Sequence, residues 1–327
     1  MNGHPEMSSA DQPKVSVCVV TYNQRDYLGP CLDSLVEQET DFAFEIVVAD
    51  DCSTDGTREI VRDFARKYPG RIVALLNERN LGPYENYRHV HRAARGAYVA
   101  HMDGDDLARP GKLRAQAALL DELPDCPAVF HQMEIVDSAG RLSGKLWPSR
   151  APRRMDADYV LEHHPVFAHS SMMYRRGALD ELLSSEGRFV DFLAYVQAAL
   201  KGDVALIAKP LGRYRLGVGI SSENYKWFDA VMAVCDHAER RGIAPAVVAR
   251  ARANQAFQMA NNALYLKRYD VFRSLIETSW HAAHISNVQR LMYAFRRIPR
   301  LLLLLRAAYV SLRDVGIAPE LDEKFSS

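Results

Sequence analysis

The sequence predicts an α/β protein with a mostly parallel central sheet flanked by helices, followed by an all-α C-terminal region. Three observations predict it. Through the first half, short β-branched runs alternate with amphipathic segments of roughly a dozen residues, the pattern of βαβ units. Carboxylates gather directly after several of these runs, where open α/β sheets bind their ligands. After residue 224 only helical patterns remain.

Residues 14–20 (KVSVCVV) form the first strand and 25–37 the first helix. Residues 45–49 (EIVVA) are a second buried strand. A helix follows over 57–68, with Ile60, Val61, Phe64 and Tyr68 on one face. Residues 72–76, 84–95 and 97–102 continue as strand, helix and strand. Pro110 opens the next helix at its first position, and that helix runs through Gln116 and Leu120. A further strand covers 130–136. Residues 138–158 hold Pro148, Pro152 and five basic residues and read as a long loop near the site. Strand character resumes at 204–210, and 246–267 and 271–283 are helices. The domains expected are a flexible tail over 1–13, an α/β domain over 14–224 and a helical region over 225–327.

The bulk numbers exclude several function classes. Lys+Arg and Asp+Glu both total 41, so no global field favours a nucleic acid, and no nucleic-acid partner is expected. The five cysteines are scattered without any CxxC, which fits reduced thiols and neither a disulfide framework nor a zinc site. The N-terminus lacks the apolar core of a secretory signal. The all-leucine run 301–305, like every other apolar run in the sequence, is far short of the roughly 18 residues a spanning helix needs. The expected location is the cytoplasm, at most with peripheral attachment to the inner face of a membrane. No P-loop sequence occurs and no GxGxxG follows the first strand, which argues against a P-loop phosphotransferase and a dinucleotide dehydrogenase.

Three strand-end clusters carry chemistry. Asp103-Gly104-Asp105-Asp106 places three carboxylates within four positions. Clustered hard oxygens attract Mg²⁺ or Mn²⁺, and such a cation would hold a diphosphate; an acidic solvated loop or a helix cap is the alternative. Asp50 and Asp51 follow the second strand, where buried carboxylates need a partner such as nucleotide N–H groups or ribose hydroxyls. Asp55 and Thr57 are helix caps rather than site residues. Thr21, Tyr22 and Asn23 end the first strand and could stack on and hydrogen-bond a base, or Asn23 could simply cap the next helix.

Taken in order, Val15-Ser16-Val17 with Thr21-Tyr22-Asn23, Asp50 through Thr57, Asn80-Leu81-Gly82, and Gly96 through Asp106 resemble the family 2 glycosyltransferases of the GT-A fold. The resemblance covers roughly residues 14–224. It implies an inverting transfer of a sugar from a nucleotide-diphosphate donor, with a divalent cation as cofactor. It implies nucleotide contacts from Thr21, Tyr22 and Asp51, and assigns ribose and metal to Asp103 and Asp105. It places the catalytic carboxylate on Asp191, with Val190 where an acidic residue is common. Gly217 stands where relatives often carry a His, so Arg215 becomes a candidate for the diphosphate. His169 falls in a segment beside the acceptor cleft. By analogy of fold alone, the acceptor is a glycan or lipid-linked intermediate of bacterial surface polysaccharide synthesis. Two other functions stay open: a non-catalytic nucleotide-sugar-binding or scaffold protein, and a sugar-nucleotide nucleotidyltransferase, although the latter's Gly-rich basic loop is absent after the first strand.

From 285 to 313 the chain has six arginines and no acidic residue. Leu301, Leu304, Leu305, Ala308 and Leu312 share one helical face, which suits either an amphipathic helix on an anionic membrane or a helix packed on the protein.

Overall fold

A run that is β-branched at nearly every position can be buried on both faces, and the first strands of the sheet do this. The computed structural model describes residues 12–186, 188, 191–218 and 225–305. Expectations for the tail through residue 11, for Val190, and for Arg306, Ala308, Leu312 and Arg313 fall outside the described residues. Strand β1 (Val15–Thr21) has one half-buried position, and every residue of β2 (Phe44–Asp50) is buried. They alternate with α1 (Arg25–Val36) and α2 (Thr57–Lys67), then β3 (Ile72–Leu76), α3 (Pro83–Arg92) and β4 (Tyr98–Asp103). The short β5 (Leu107–Ala108), α4 (Lys112–Glu122) and β6 (Ala128–Val136) follow.

The strand order is β3-β2-β1-β4-β9-β6-β10-β5, and the first four strands are mutually parallel. Register decides where the chemistry goes. Thr21 pairs with Asp50 and Val20 with Asp103, so the loops after β1, β2 and β4 leave the sheet side by side. The core packs Val15, Val17 and Val19 of β1 with Ile46 and Val48 of β2 and Leu28, Leu32 and Leu35 of α1.

Residues 138–158 depart from the expected loop. They contain β7 (Leu142–Trp147), antiparallel to β6, then β8 (Arg154–Met155), and they enter α5 (Ala157–His163). Strand β7 is exposed along almost its whole length, so no alternation of apolar and polar residues marks it. Helix α4 also starts later than expected. Gly111, at φ 83°, precedes Lys112 in the left-handed region, and Pro110 stays outside the helix.

A 3₁₀ turn (His169–Ser171) leads into β9 (Met173–Arg175), which runs antiparallel to both β4 and β6. After α6 (Asp180–Ser184) and α7 (Asp191–Ala199), β10 (Val204–Arg215) pairs with β6 in parallel. It runs past its expected end because register shifts around Pro210 absorb the residue that cannot donate to a ladder.

The chain divides into two compact units, the second starting at Ser222. That unit holds α8 (Phe228–Arg240), α9 (Pro245–Tyr265), α10 (Tyr269–Ala282) and α11 (Asn287–Ala294). Small buried residues of α9, including Ala253, Ala256 and Ala260, allow α10 to come close, and the Ser279 hydroxyl donates to the Ala253 carbonyl at 2.7 Å. Helix resumes over 299–305.

Candidate active site

The loop after β4 is shaped by a glycine. The Gly104 amide donates to the Val20 carbonyl at 3.0 Å. A Cβ at this position would lie 2.5 Å from Gln24 Oε1 and 3.1 Å from Thr21 Oγ1. Any other residue would displace the Gln24 amide and crowd Thr21 and the Val20 carbonyl. Gln24 Oε1 and Thr21 Oγ1 are both buried and without a hydrogen-bond partner in the described structure.

Three carboxylates in this loop meet three environments. Asp103 is held at both oxygens, with His101 Nε2 3.1 Å from Oδ1 and the Ser170 hydroxyl 3.3 Å from Oδ2. Burial opposes its charge, but His101, His169 and Ser170 outweigh that and lower its pKa. Asp105 goes the other way. Burial first, then the charge of Asp103, push its pKa to about 6, although Gln24 hydrogen-bonds it. Asp106 is raised further by burial and both neighbouring carboxylates; its Oδ1 accepts the Arg215 amide at 2.9 Å, and its Oδ2 has no partner. Beneath the loop, Lys112 is fully buried with its Nζ 3.0 Å from Gln116 Oε1 and 3.0 Å from the Ser170 carbonyl. Burial brings its pKa down to about 7, against the pull of Asp106, so it supplies little fixed positive charge.

On the side of β1 and β2, Thr21 is buried and Tyr22 is 49% exposed. Asn23 sits at φ 51° and joins two loops: its amide donates to Ser53 Oγ and its Oδ1 accepts the Thr54 amide, each at 2.9 Å. Asp51 accepts the Leu81 and Gly82 amides at 2.7 and 2.9 Å and the Asn77 side chain at 3.0 Å. Its carboxylate therefore pins the Asn80-Leu81-Gly82 turn. Asp50 keeps one buried oxygen, Oδ1, without a partner. Asp55 accepts the Thr57 amide and hydroxyl, but the N-cap of α2 is Gly56, at φ 102°, and Thr57 is its first helical residue.

The opposite wall comes from the 3₁₀ turn and α7. The His169 ring lies 4.0 Å from that of His101, and Nδ1 is 3.2 Å from the Tyr195 hydroxyl. Nε2 has no partner, and burial pushes the pKa of the imidazole well down. Asp191 opens α7, one turn before Tyr195 on the same side of the helix. Its side chain reaches solvent, yet the surrounding walls dehydrate it and Asp103 is close enough to add repulsion. Both effects raise its pKa.

Arg215 is differently employed from the diphosphate contact expected of it. Its Nε donates to the Asp105 carbonyl at 3.0 Å and its Nη1 to the carbonyls of Asp137 and Ser138 at 3.2 and 3.1 Å. The guanidinium also stacks on Tyr27, 4.8 Å from the ring centre. It clasps the acidic loop to the β6–β7 turn.

The donor set suits a hard cation that completes its shell elsewhere. Among the described residues no three His, Cys, Asp or Glu side chains converge as a self-sufficient cage. What the loop offers is carboxylate and amide or hydroxyl oxygen, the ligands of Mg²⁺ or Mn²⁺ sites shared with substrate phosphates. Sequence reasoning passed over His101, His91 and Tyr174, which stand behind Asp103. The spacing of His101, two residues before Asp103 on one strand and so on one face, was the available signal.

The model of the family described as Glycosyl transferase family 2 matches residues 16–183. An uncharacterised protein of Mycobacterium tuberculosis is 30% identical over 202 residues, 62% of this chain and 58% of that relative. The chain thus spans about three fifths of the length of such a curated relative. A crystal structure of Staphylococcus aureus TarS 1–349 in complex with UDP-GlcNAc is similar in fold, with a TM-score of 0.62 at 19% identity, covering 88% of each chain. The mannosyltransferase PcManGT of Pyrobaculum calidifontis, in complex with GDP-Man and Mn²⁺, gives a TM-score of 0.55 at 20% identity over 88% of this chain and 85% of that one.

Proposed function

Because the chain belongs to glycosyl transferase family 2, we propose that it is an inverting enzyme moving a sugar from a nucleotide-diphosphate donor, in first place a UDP-sugar, to an acceptor hydroxyl. The observation that carries this is the placement of the ionised Asp103. On one side of it lie unpartnered oxygens of Thr21, Gln24 and Asp50, and on the other the raised carboxyl of Asp191.

In this reading Thr21 and the exposed ring of Tyr22 receive the nucleotide, and Asn23 and Asp51 shape the pocket by fastening the neighbouring loops. Asp103 and Asp105 would hold Mg²⁺ or Mn²⁺, which when bound offsets the negative charge that grows on a departing diphosphate. Inversion needs a base on the face opposite the leaving group. Asp191 has the upward-shifted pKa of a carboxylate ready to take a proton, and His169, 3.2 Å from the Tyr195 hydroxyl of the same helix, is the acceptor contact. Holding donor and acceptor in line is the rest of the task.

A donor screen by thermal unfolding with Mn²⁺ tests the binding half. A matching nucleotide sugar at about 100 times its dissociation constant should add roughly 2.7 kcal/mol of stability. Stabilisation by no UDP- or GDP-linked sugar would remove the donor site. Binding without turnover on any acceptor would favour a nucleotide-sugar-binding protein instead.

For the acceptor, a glycan or lipid-linked intermediate, the helical unit supplies the supporting feature. Leu291, Ile298, Leu301, Leu304 and Leu305 are exposed, as are Arg290, Arg297 and Arg300, while Arg296 is occupied by Glu277. No helix among the described residues is long and apolar enough to cross a membrane. We propose that this patch rests on the anionic inner face of a membrane, apolar side chains entering the interface and arginines meeting headgroups. Co-sedimentation with anionic vesicles at low salt should carry the protein down, and neutral vesicles should not. Equal indifference to both would leave the patch as ordinary protein surface.

A further inference from the structure

Behind Asp103 runs a buried file of polar groups drawn from three elements. The Tyr174 hydroxyl of β9 is 2.6 Å from Nδ1 of His91 on α3. His91 Nε2 is 3.0 Å from His101 Nδ1 on β4, and His101 Nε2 is 3.1 Å from Asp103 Oδ1. None of these three side chains is more than 3% exposed.

The file ends on an acceptor. An ionised carboxylate only accepts, so His101 Nε2 must donate. Beyond it, the facing atoms of His101 and His91, and of His91 and Tyr174, each make one donor–acceptor pair, so the file is closed at both joints. Burial lowers the pKa of His91 and raises that of the Tyr174 phenol. Each ring is also clamped from the side. Tyr87 stacks on His91 at 3.9 Å and His169 lies 4.0 Å from His101, so neither imidazole has room to turn.

We propose that His101, oriented by His91 and Tyr174, is a positioning residue that fixes the Asp103 carboxylate for donor and cation binding. With Ser170 on the other oxygen, the file leaves Asp103 one orientation, its remaining lone pairs turned toward the loop. The inference rests on the donor-site reading above. Buried imidazoles stacked on one another are a poor way to hold a helix to a sheet, since apolar side chains would do so without three groups to satisfy. Their arrangement is explained by the carboxylate at its end.

Two substitutions separate aiming from packing. In His101→Gln the side-chain amide nitrogen falls near the position of Nε2 and can still donate to Asp103. In His101→Asn it falls near Nδ1 and stops short. Mn²⁺ is titrated into each protein in the presence of UDP, with free Mn²⁺ read by electron paramagnetic resonance and unfolding temperature measured alongside. The Asn variant should lose about 10- to 100-fold in Mn²⁺ affinity, the usual effect of removing a group that orients a metal ligand. The Gln variant should stay within a few-fold of wild type at a similar unfolding temperature. Tyr174→Phe keeps the ring packing and removes only the far hydroxyl, so it should weaken Mn²⁺ in the same direction by a few-fold. Equal affinities for Asn, Gln and wild type would overturn the inference while leaving the donor site intact. Failure of the wild-type protein to take Mn²⁺ with UDP would remove the donor-site reading, and the inference with it.

Discussion

Asp191→Asn should lower sugar transfer by roughly 10²- to 10⁴-fold, the usual worth of a positioned base, with donor affinity almost unchanged. The substitution keeps the size and nearly the shape of the side chain at the start of α7, so the helix and its packing through Phe192 and Val196 should survive. An amide cannot accept the acceptor's proton. Removing a charge that Asp103 repels also relieves the site, so the variant should be no less stable than wild type. Initial rates and donor titration on the same preparation check both halves. Lost transfer together with lost donor binding would point to damage in the fold. Near-normal transfer would move the base elsewhere, with the unpartnered Nε2 of His169 the first place to look.

Asp105→Ala should abolish transfer and remove the Mn²⁺-dependent part of nucleotide affinity, because the carboxylate assigned to the cation is gone. Its effect on stability has the opposite sign from that of an ordinary ion-paired carboxylate. Burial and Asp103 raise its pKa to about 6, above the ordinary 3.8. The folded state therefore favours the protonated form, and stability falls as pH rises through this interval. At pH 8 with divalent ions chelated, the alanine variant should unfold no earlier than wild type. A variant that turns over normally without divalent ions would refute the assignment of a metal to this loop. One that unfolds well below wild type would show Asp105 to be a structural group.

The ends of β1 and β4 were legible in the sequence because strands buried on both faces announce themselves as unbroken β-branched and apolar runs. Strand β7 was not, since a ribbon exposed along its length needs no apolar pattern. Within the site, residue type was legible and allegiance was not. Asp50 and Asp51 look alike in the sequence, yet the turn at Asn80-Leu81-Gly82 takes up one of them and leaves an oxygen of the other unpartnered. Arg215 looked available for an anion because no sequence pattern reveals that backbone carbonyls of residues 105, 137 and 138 surround its guanidinium. The file behind Asp103 depends on α3 and β9 arriving at the same point, which only tertiary contact defines.

The Arg215 clasp has a bearing on how such a molecule can diversify. Strand β7 is exposed and pairs with β6 off the main order of the sheet, the kind of segment that tolerates exchange. The turn before it is tied to the acidic loop through main-chain carbonyls, which every amino acid supplies, and through one arginine that belongs to neither segment. A lineage can therefore rewrite the side chains of β7 and the turn before it without disturbing the posture of Asp105. Novelty at β7 is buffered from the loop that must not change, and the burden of joining the two falls on residue 215, which by this account need touch no substrate.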